Sequence, residues 1–355
     1  MRARHCWRAC LSLVACLIAC RAAGAQPLRP DVAFRGAGGM QLRGTLVVPE
    51  GPDGQRVAAV LLLPGSGPTD RDGNQRPLLV TDLLRQISER LNKEGIATFR
   101  FDKRAVHAYG AEWPGKVEDF NDFFSFENFV TDAGAAYKFL RSFPGVDPAR
   151  VFILGHSEGG LIALQIAADK AQSDDRPAGL ILLGTAGRVG DVVIREQIDA
   201  ALKPPAADES TRAEYLSQLD GAIKALKAGQ PLPKDIPPGL SAVLNPTCQK
   251  LLRSYFTIDP AVLAAKARGP VLIIQGEKDA QVAAEKDTPL LEKALRSRAA
   301  DGGAAGVQVL VVPGASHNLK KKTDEQDPGF AGPVAPEALD RLADWFRERT
   351  KGPTQ

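Results

Sequence analysis

The chain has 355 residues, of which 44% are hydrophobic, 25% charged and 6% aromatic. This composition is typical of a globular protein and excludes a disordered chain, a collagen-like repeat and a protein that crosses a membrane many times. The formal net charge is +3, which argues against a nucleic-acid-binding protein, because such proteins concentrate a larger basic excess.

The first 25 residues have the three parts of a secretory signal peptide. Residues 1–9 carry three arginines, residues 10–20 are apolar and uncharged, and residues 23–25 read Ala-Gly-Ala. A basic start, a short apolar core and small residues before the cleavage point define such peptides. An apolar run of eleven residues is also too short to span the roughly 30 Å core of a bilayer. We therefore expect cleavage after Ala25, export to the periplasm or the medium, and no transmembrane span in the mature chain.

Lipidation is an alternative fate for the same N-terminus. Residues 17–20 (LIAC) resemble the lipobox of bacterial lipoproteins, and residues 13–16 (LVAC) resemble it further inside the apolar core. A lipid on Cys20 would tether the fold to a membrane.

Removing residues 1–25 changes the counts. The mature charge is −1, from 41 basic and 42 acidic side chains, and three histidines and Cys248 remain. One cysteine cannot form an intramolecular disulfide. Three histidines and one cysteine are also few residues from which to build a His/Cys metal site. We expect neither a metal nor a cofactor.

The mature chain opens with two segments, residues 32–34 and 40–48, that predict an antiparallel pair with one face in solvent. Residues 57–63 (VAAVLLL) are a continuous apolar run closed by the turn residues 64–68 (PGSGP), and they predict a strand buried on both faces. Helical and strand patterns then alternate. Helices are predicted at residues 78–94, 126–140, 159–170, 289–296 and 339–349, and strands at 96–101, 151–154, 180–183, 271–275 and 307–312.

This alternation predicts an α/β fold. Its sheet is mostly parallel with an antiparallel N-terminal edge, and helices cover both faces. The segment between residues 183 and 271 has no clear strand but has helical patterns at 189–202 and 211–226. A structureless loop of that length is uncommon. We therefore predict a helical cap at 187–269, inserted into a core of residues 26–186 and 270–355. We expect it over the carboxyl ends of the strands, where open α/β sheets bind ligands.

A candidate nucleophile lies in residues 155–159 (GHSEG), between a predicted strand and a predicted helix. A sharp strand-to-helix turn holds Ser157 in a strained backbone conformation, and side chains at 155 and 159 would clash there. The turn projects the serine hydroxyl from the sheet and turns the Glu158 N–H toward a reacting carbonyl.

A serine needs a base, and the mature chain offers three histidines. His156 adjoins the serine and is badly placed to accept its proton, and His107 precedes the serine in the chain. The order serine, acid, histidine is typical of such a turn. Only His317, just after the strand at 307–312, satisfies it.

The acid that orients the histidine should lie at a strand end between Ser157 and His317. Asp279 follows the strand at 271–275 and the turn at Gly276, and it is our candidate. Glu277 and Asp287 are its competitors.

The loop after residues 57–63 is the candidate for the second oxyanion donor, through the backbone N–H of Ser66 or Gly67. It lacks the spacing of a phosphate-binding loop. Residues 70–74 (DRDGN) suggest calcium, but the sixth and twelfth positions, Gln75 and Thr81, do not fit an EF-hand.

Charged residues also cluster near the predicted strand ends. They would recognise substrate or position loops, or they would form a structural network of ion pairs. The residues concerned are Asp70, Arg71, Asp72, Asp102, Arg104 and Glu158.

Together these motifs resemble the α/β-hydrolase superfamily over about residues 40–350. Residues 64–73 (PGSGPTDRDG), 101–104 (FDKR) and 155–160 (GHSEGG) are similar to bacterial carboxylesterases related to dienelactone hydrolases and to serine aminopeptidase-like hydrolases. Many relatives have His where Pro64 stands and Gly where Ala105 stands.

The resemblance implies a serine hydrolase that cleaves small carboxylic esters through an acyl-enzyme. An aminopeptidase of the same fold and an acyltransferase are the alternatives. The peptidase would need an acidic clamp for a free amine, from Glu158, Asp70 or Asp72.

Overall fold

The computed structural model describes residues 28–241, 243–298 and 306–350. The predicted signal peptide and Cys20 lie outside these residues. The strands are β1 (Leu28–Arg35), β2 (Gln41–Val47), β3 (Val57–Leu63), β4 (Ala97–Phe101), β5 (Val146–His156), β6 (Leu180–Leu183), β7 (Val271–Gly276) and β8 (Val307–Val312). The helices are α1 (Leu83–Lys93), α2 (Phe120–Phe123), α3 (Phe126–Ser142), α4 (Glu158–Asp169), α5 (Gly190–Ala201), α6 (Glu209–Lys227), α7 (Pro238–Ser241), α8 (Gln249–Thr257), α9 (Pro260–Lys266), α10 (Ala284–Arg296) and α11 (Pro336–Thr350).

The strands form one sheet in the order β1-β2-β4-β3-β5-β6-β7-β8. Strand β2 runs antiparallel to both neighbours, and the strands from β4 to β8 run parallel. The prediction of a mostly parallel sheet with an antiparallel edge is confirmed. The chain order reverses between β3 and β5, where Leu63 pairs with Gly155. Ligands of open α/β sheets bind at such a reversal, and here it brings together the loop after β3 and the turn after β5.

The core lies on both faces of the sheet. Along β3, Ala59, Leu61 and Leu63 pack on one face with α3 and α4, while Val60 and Leu62 pack on the other with α1 and α11. Because both faces are covered, the strand reads as an unbroken apolar run rather than an alternating one.

The segment between β6 and β7 contains helices α5 to α9 in its described residues. Helices α5 to α8, called the cap helices below, have a small apolar cluster of their own, whose members include Leu219, Leu240 and Phe256. Helix α9 packs differently, because Leu263 and Ala264 belong to the main core. The bounds 187–269 for the cap remain a prediction. None of the helices in the described ranges is long and apolar enough to cross a membrane.

The predicted start of the first helix at residue 78 is wrong. The helix begins at Leu83, and the Leu78 side chain is 93% exposed. The side-chain oxygen of Asn74 accepts the N–H groups of Thr81 and Asp82 at 2.7 and 2.8 Å. These bonds hold residues 79–82 in a loop, because a short polar side chain competes with helical bonding for nearby N–H groups.

Candidate active site

Ser157 stands at the turn between β5 and α4. Its backbone has φ 54° and ψ −118°, a conformation that costs on the order of 1–3 kcal/mol for a residue with a side chain. Its N–H donates to the Leu183 carbonyl at 2.8 Å, so the end of β6 holds the turn in place. The strained serine predicted from the motif is confirmed.

The neighbouring glycines are required by close backbone contacts. A Cβ at Gly155 would lie 2.2 Å from the Gly159 carbonyl oxygen, and one at Gly159 would lie 2.4 Å from the Leu63 carbonyl oxygen. A Cβ at Gly160 would lie 2.0 Å from Oγ1 of Thr185. The predicted clashes at 155 and 159 are therefore confirmed, and Gly160 is a third position that the motif analysis did not single out.

His317 and Asp279 form a buried hydrogen-bonded pair. The His317 Nδ1–H donates to Oδ2 of Asp279 at 2.7 Å, and the side chains are 7% and 0% exposed. The other oxygen of Asp279 accepts the N–H groups of Gln281 and Val282 at 2.8 and 2.9 Å. Burial alone would raise the pKa of Asp279, but His317 and these N–H groups outweigh it and hold the pKa below its usual value.

Gln275 is a partner of this pair that sequence reasoning missed. Its Nε2 donates to Oδ2 of Asp279 at 2.7 Å and to the Val282 carbonyl at 2.9 Å. The side chain is fully buried and fixes the carboxylate within the loop after β7. The sequence feature that could have identified Gln275 is its position as a polar residue at the end of the apolar run VLIIQ.

The two competing acids are engaged elsewhere. Glu277 accepts the Gly314 N–H at 2.8 Å. Asp287 is fully buried and binds Arg188 at 2.8 Å. It also accepts the Gly187 N–H at 3.0 Å. It thereby ties the start of the cap segment to α10.

The loop that carries His317 adjoins the serine turn. His156 lies beside Ser157 in the chain, and its Nε2–H donates to the His317 carbonyl at 3.0 Å. Burial, with a smaller electrostatic effect of the adjacent His317 ring, lowers the pKa of His156 to about 3, so His156 is neutral and acts as a fixed hydrogen-bond donor. A Cβ at Gly184 would lie 3.1 Å from Nδ1 of His317, so the end of β6 supports both Ser157 and His317. His107 lies in the loop after β4, with its ring 5.7 Å from that of Trp113, and both side chains line the cavity described below.

The loop after β3 lies beside the serine turn. A Cβ at Gly65 would lie 3.4 Å from the Cβ of Ser157. The Ser66 carbonyl accepts Oγ1–H of Thr69 at 2.7 Å and Nε2–H of Gln75 at 2.8 Å. Within the described part of the chain, the N–H groups of Ser66 and Gly67 donate no hydrogen bond, so both are available as donors.

Ion pairs and backbone hydrogen bonds engage the charged residues near the strand ends. Arg71 binds Asp102 through Nε at 3.0 Å, and Asp72 pairs with Arg100. Asp70 accepts the N–H groups of Asp72 and Asn74 at 2.9 Å each. Two further pairs are buried, Arg104–Asp132 at 2.6 Å and Lys103–Glu158. Each of the six residues therefore has a partner within the protein, and Glu158 also lines the cavity described next. No cluster of His, Cys, Asp or Glu that could hold a metal occurs among the described residues.

A cavity of about 680 Å³ opens above Ser157. Its floor includes Ser66, Gly67, Ser157 and Glu158. One wall of the cavity is aromatic, and side chains of α5 and α8 cover the cavity. These wall and cover residues are Trp113, Phe120, Phe124, Phe129, Val193, Ile194, Leu251, Leu252 and Tyr255. Such a cavity is the ordinary form of a small-molecule site. The aromatic wall comes from residues 113–129, which sequence reasoning did not assign to the site.

The fold and the turn at Ser157 define an α/β hydrolase. A family model described as "serine aminopeptidase, S33" matches residues 81–324. The chain belongs to this family. The matched segment contains Ser157, Asp279 and His317 but begins after the Ser66–Gly67 loop.

Similar proteins include esterase EstD from Thermotoga maritima, with 26% identity over 308 residues. The alignment covers 86% of this chain and 65% of that protein, so the chain spans about two thirds of the length of this relative. Two solved structures share the fold. Est1E from Butyrivibrio proteoclasticus has a TM-score of 0.54 at 15% identity, covering 90% of this chain and 99% of that one. An esterase of Pyrococcus furiosus, Pf2001, has a TM-score of 0.54 at 16% identity and 92% coverage of both chains.

Proposed function

We propose that the protein is an exported serine hydrolase that cleaves carboxylic esters through Ser157, His317 and Asp279. The observation that carries this proposal is the buried Asp279–His317 pair, supported on the same strand end as the strained Ser157 at the floor of an apolar cavity. Two of the similar proteins, EstD and Pf2001, are named as esterases, which supports the ester as substrate.

In the proposed acylation step, Ser157 Oγ attacks the ester carbonyl carbon while His317 Nε2 accepts the hydroxyl proton. Asp279 holds the Nδ1–H of His317 and stabilises the imidazolium. The N–H of Glu158 and one N–H of the Ser66–Gly67 loop bind the oxyanion of the tetrahedral intermediate. The bond to the alcohol oxygen then breaks, and His317 gives its proton to the leaving alcohol.

Deacylation repeats these steps with water. His317 accepts a proton from water as its oxygen attacks the acyl carbon, and the Ser157 oxygen leaves and regains that proton. The carboxylic acid is released, and this chemistry uses no metal or cofactor.

The contacts of the acidic residues favour an ester over a peptide with a free amino terminus. Glu158 is the carboxylate lining the cavity in the described residues. One of its oxygens binds Lys103 and the other accepts the Tyr255 hydroxyl. Asp70 and Asp72 are engaged by backbone N–H groups and by Arg100. The amine of an aminopeptidase substrate would therefore have to compete with these partners. The family description keeps such a peptidase as the second candidate.

The test is a substrate panel on the protein lacking residues 1–25. Hydrolysis of p-nitrophenyl acyl esters is compared with that of aminoacyl p-nitroanilides, and a fluorophosphonate probe labels the nucleophile. We expect ester turnover, weak or no anilide turnover, and labelling that Ser157→Ala abolishes without unfolding the protein. Faster anilide turnover would establish the peptidase instead. Absence of labelling in a folded wild-type protein would refute the mechanism.

An acyltransferase would use the same acyl-enzyme with an alcohol or amine in place of water. Product analysis with added glycerol or a primary amine separates the two. We expect the free acid to remain the main product. A dominant acyl-glycerol or amide would overturn the assignment of water as acceptor.

Export is proposed from the signal-peptide pattern of residues 1–25. Expression of the whole chain followed by cell fractionation and mass measurement of the intact protein tests it. We expect an exported protein with the mass of residues 26–355. A membrane-bound product carrying diacylglycerol at Cys20 would establish the lipoprotein alternative, and a full-length cytoplasmic product would refute export.

A further inference from the structure

A buried ion pair lies directly beneath the proposed reaction centre. Lys103, two residues after β4, pairs with Glu158, the first residue of α4. Their side chains are 5% and 4% exposed. Burying two charges is costly, and a pair of apolar residues of similar volume is often as stable. The pair is not used in the acid–base chemistry proposed above, so its place beside Ser157 calls for another explanation.

Lys103 touches both halves of the proposed oxyanion site. Its Nζ binds the Glu158 carboxylate and donates to the Gly65 carbonyl at 3.2 Å. It also lies 4.4 Å from the centre of the Phe129 ring. One ammonium group therefore connects the loop after β3 with the turn after β5.

The contact with Gly65 fixes the orientation of one peptide unit. The Gly65 carbonyl and the Ser66 N–H belong to the same planar trans peptide, in which they point in opposite directions. Holding the carbonyl on Lys103 therefore turns the Ser66 N–H away from Lys103. A cation on the carbonyl also polarises the peptide and strengthens its N–H as a donor.

The two candidate N–H groups of this loop differ in their surroundings. Gly65 approaches Ser157, since a Cβ there would lie 3.4 Å from the serine Cβ. Gly67 approaches Gln75 instead, with a Cβ position 2.9 Å from its Nε2. The peptide between Gly65 and Ser66 is thus the one that lies against the nucleophile.

We infer that Lys103 is a positioning residue for the oxyanion site. It aligns the Ser66 N–H through the Gly65 carbonyl and anchors Glu158, whose own N–H is the other donor. This inference rests on the proposed function, and it selects Ser66 over Gly67.

Tyr255, on cap helix α8, also holds the Glu158 side chain. Its hydroxyl donates to the second oxygen of Glu158, so each carboxylate oxygen has one partner, Lys103 below and α8 above. The Glu158 side chain is thereby held at both oxygens, and the first turn of α4 is held with it.

The experiment measures kcat and KM of Lys103→Met, Lys103→Arg and the double variant Lys103→Met/Glu158→Gln on a p-nitrophenyl ester and on the matching thionoester. Sulfur is a weak hydrogen-bond acceptor, so the oxo-to-thiono rate ratio reports how well the oxyanion donors are aligned. The double variant removes both charges together and leaves no unpaired buried ion. Lys170→Met is the matched control, because it removes a lysine paired with Asp175 at 2.5 Å away from the cavity.

We expect Lys103→Met and the double variant to lower kcat for the oxo ester about 10- to 100-fold. This decrease is at most similar to that caused by removing one oxyanion donor, which is about 100- to 1000-fold. KM should stay within about twofold, since the interaction acts in the transition state. The oxo-to-thiono ratio should fall with kcat, while Lys103→Arg recovers part of both and Lys170→Met changes neither.

An unchanged oxo-to-thiono ratio in a folded double variant would overturn the role of Lys103. A fall in kcat with no change in that ratio would do the same, because it would show a general structural effect. Failure of the proposed function is distinguishable, because then the wild-type protein would show no Ser157 labelling and no ester turnover.

Discussion

The floor and the cover of the cavity are built by different constraints. The floor is held by the backbone, since Gly155 and Gly159 have no room for a Cβ, and by hydrogen bonds to Asp279 and His317. The cover consists of apolar side chains of α5 and α8, which pack on the separate cluster of the cap helices. Apolar packing tolerates changes of shape better than a hydrogen-bonded site does. Changes in the floor should therefore affect turnover, and changes in the cover should affect the choice of substrate.

The largest effect is expected for Asp279→Asn. An amide cannot hold the Nδ1–H of His317 in the required tautomer, and the same exchange in a serine protease triad lowers kcat about 10⁴-fold. We expect a loss on that order in kcat for p-nitrophenyl esters, measured on a variant shown to be folded by circular dichroism.

Glu277→Gln is the matched control for the acid. Glu277 belongs to the same loop but binds the Gly314 N–H, so turnover should stay within about threefold of the wild type. Equal losses in the two variants would contradict the assignment of Asp279.

A second comparison between floor and cap uses two glycines. Gly159→Ala places a Cβ 2.4 Å from the Leu63 carbonyl oxygen, and we expect a loss of about 3 kcal/mol in the free energy of unfolding. Gly221→Ala in α6 meets nothing within 4 Å and should stabilise the protein by about 0.5–1 kcal/mol, because alanine favours a helix. Urea denaturation measures both. Similar effects in the two variants would contradict the difference in backbone constraint.

The same difference explains what could be predicted from the sequence. Ser157 and its glycines were readable because a strand, a sharp turn and a helix follow one another along the chain, and each constraint is local. Asp279 and His317 followed from strand ends and chain order, and the structure places them in contact.

The residues of the site that the sequence did not reveal depend on contacts between segments that are distant in the chain. Tyr255 and Trp113 join the cavity only because α8 and the loop after β4 meet above Ser157. Lys103 was not among the charged residues that the sequence pointed to, and its place follows only from its contact with the Gly65 carbonyl. Helix α9 did carry a local signal, since Asp259 caps it and Pro260 is its first residue.

The cover should control acyl-group size. Leu251→Trp adds volume to the α8 side of the cavity, and we expect the ratio of kcat/KM for p-nitrophenyl octanoate to that for the acetate to fall about tenfold. A difference of a few methylene groups in an apolar pocket is worth at least this much. Val262→Trp is the control, because Val262 lies on α9 with 51% exposure and does not line the cavity. An equal loss for both esters would show that the cover acts on turnover after all.

The last prediction concerns stability rather than turnover, and it tests the support that His156 gives to the floor. Burial lowers the pKa of His156 from 6.5 to about 3, so between these values the unfolded chain binds a proton that the folded protein does not. Stability is therefore greatest above about pH 6.5 and decreases as the pH falls toward 3, by up to about 1.4 kcal/mol per pH unit. His156→Gln keeps an N–H donor for the His317 carbonyl but does not titrate. Urea denaturation from pH 7 to pH 4 should therefore give the variant a shallower pH dependence than the wild type. Parallel curves would show that folding does not lower the pKa of His156.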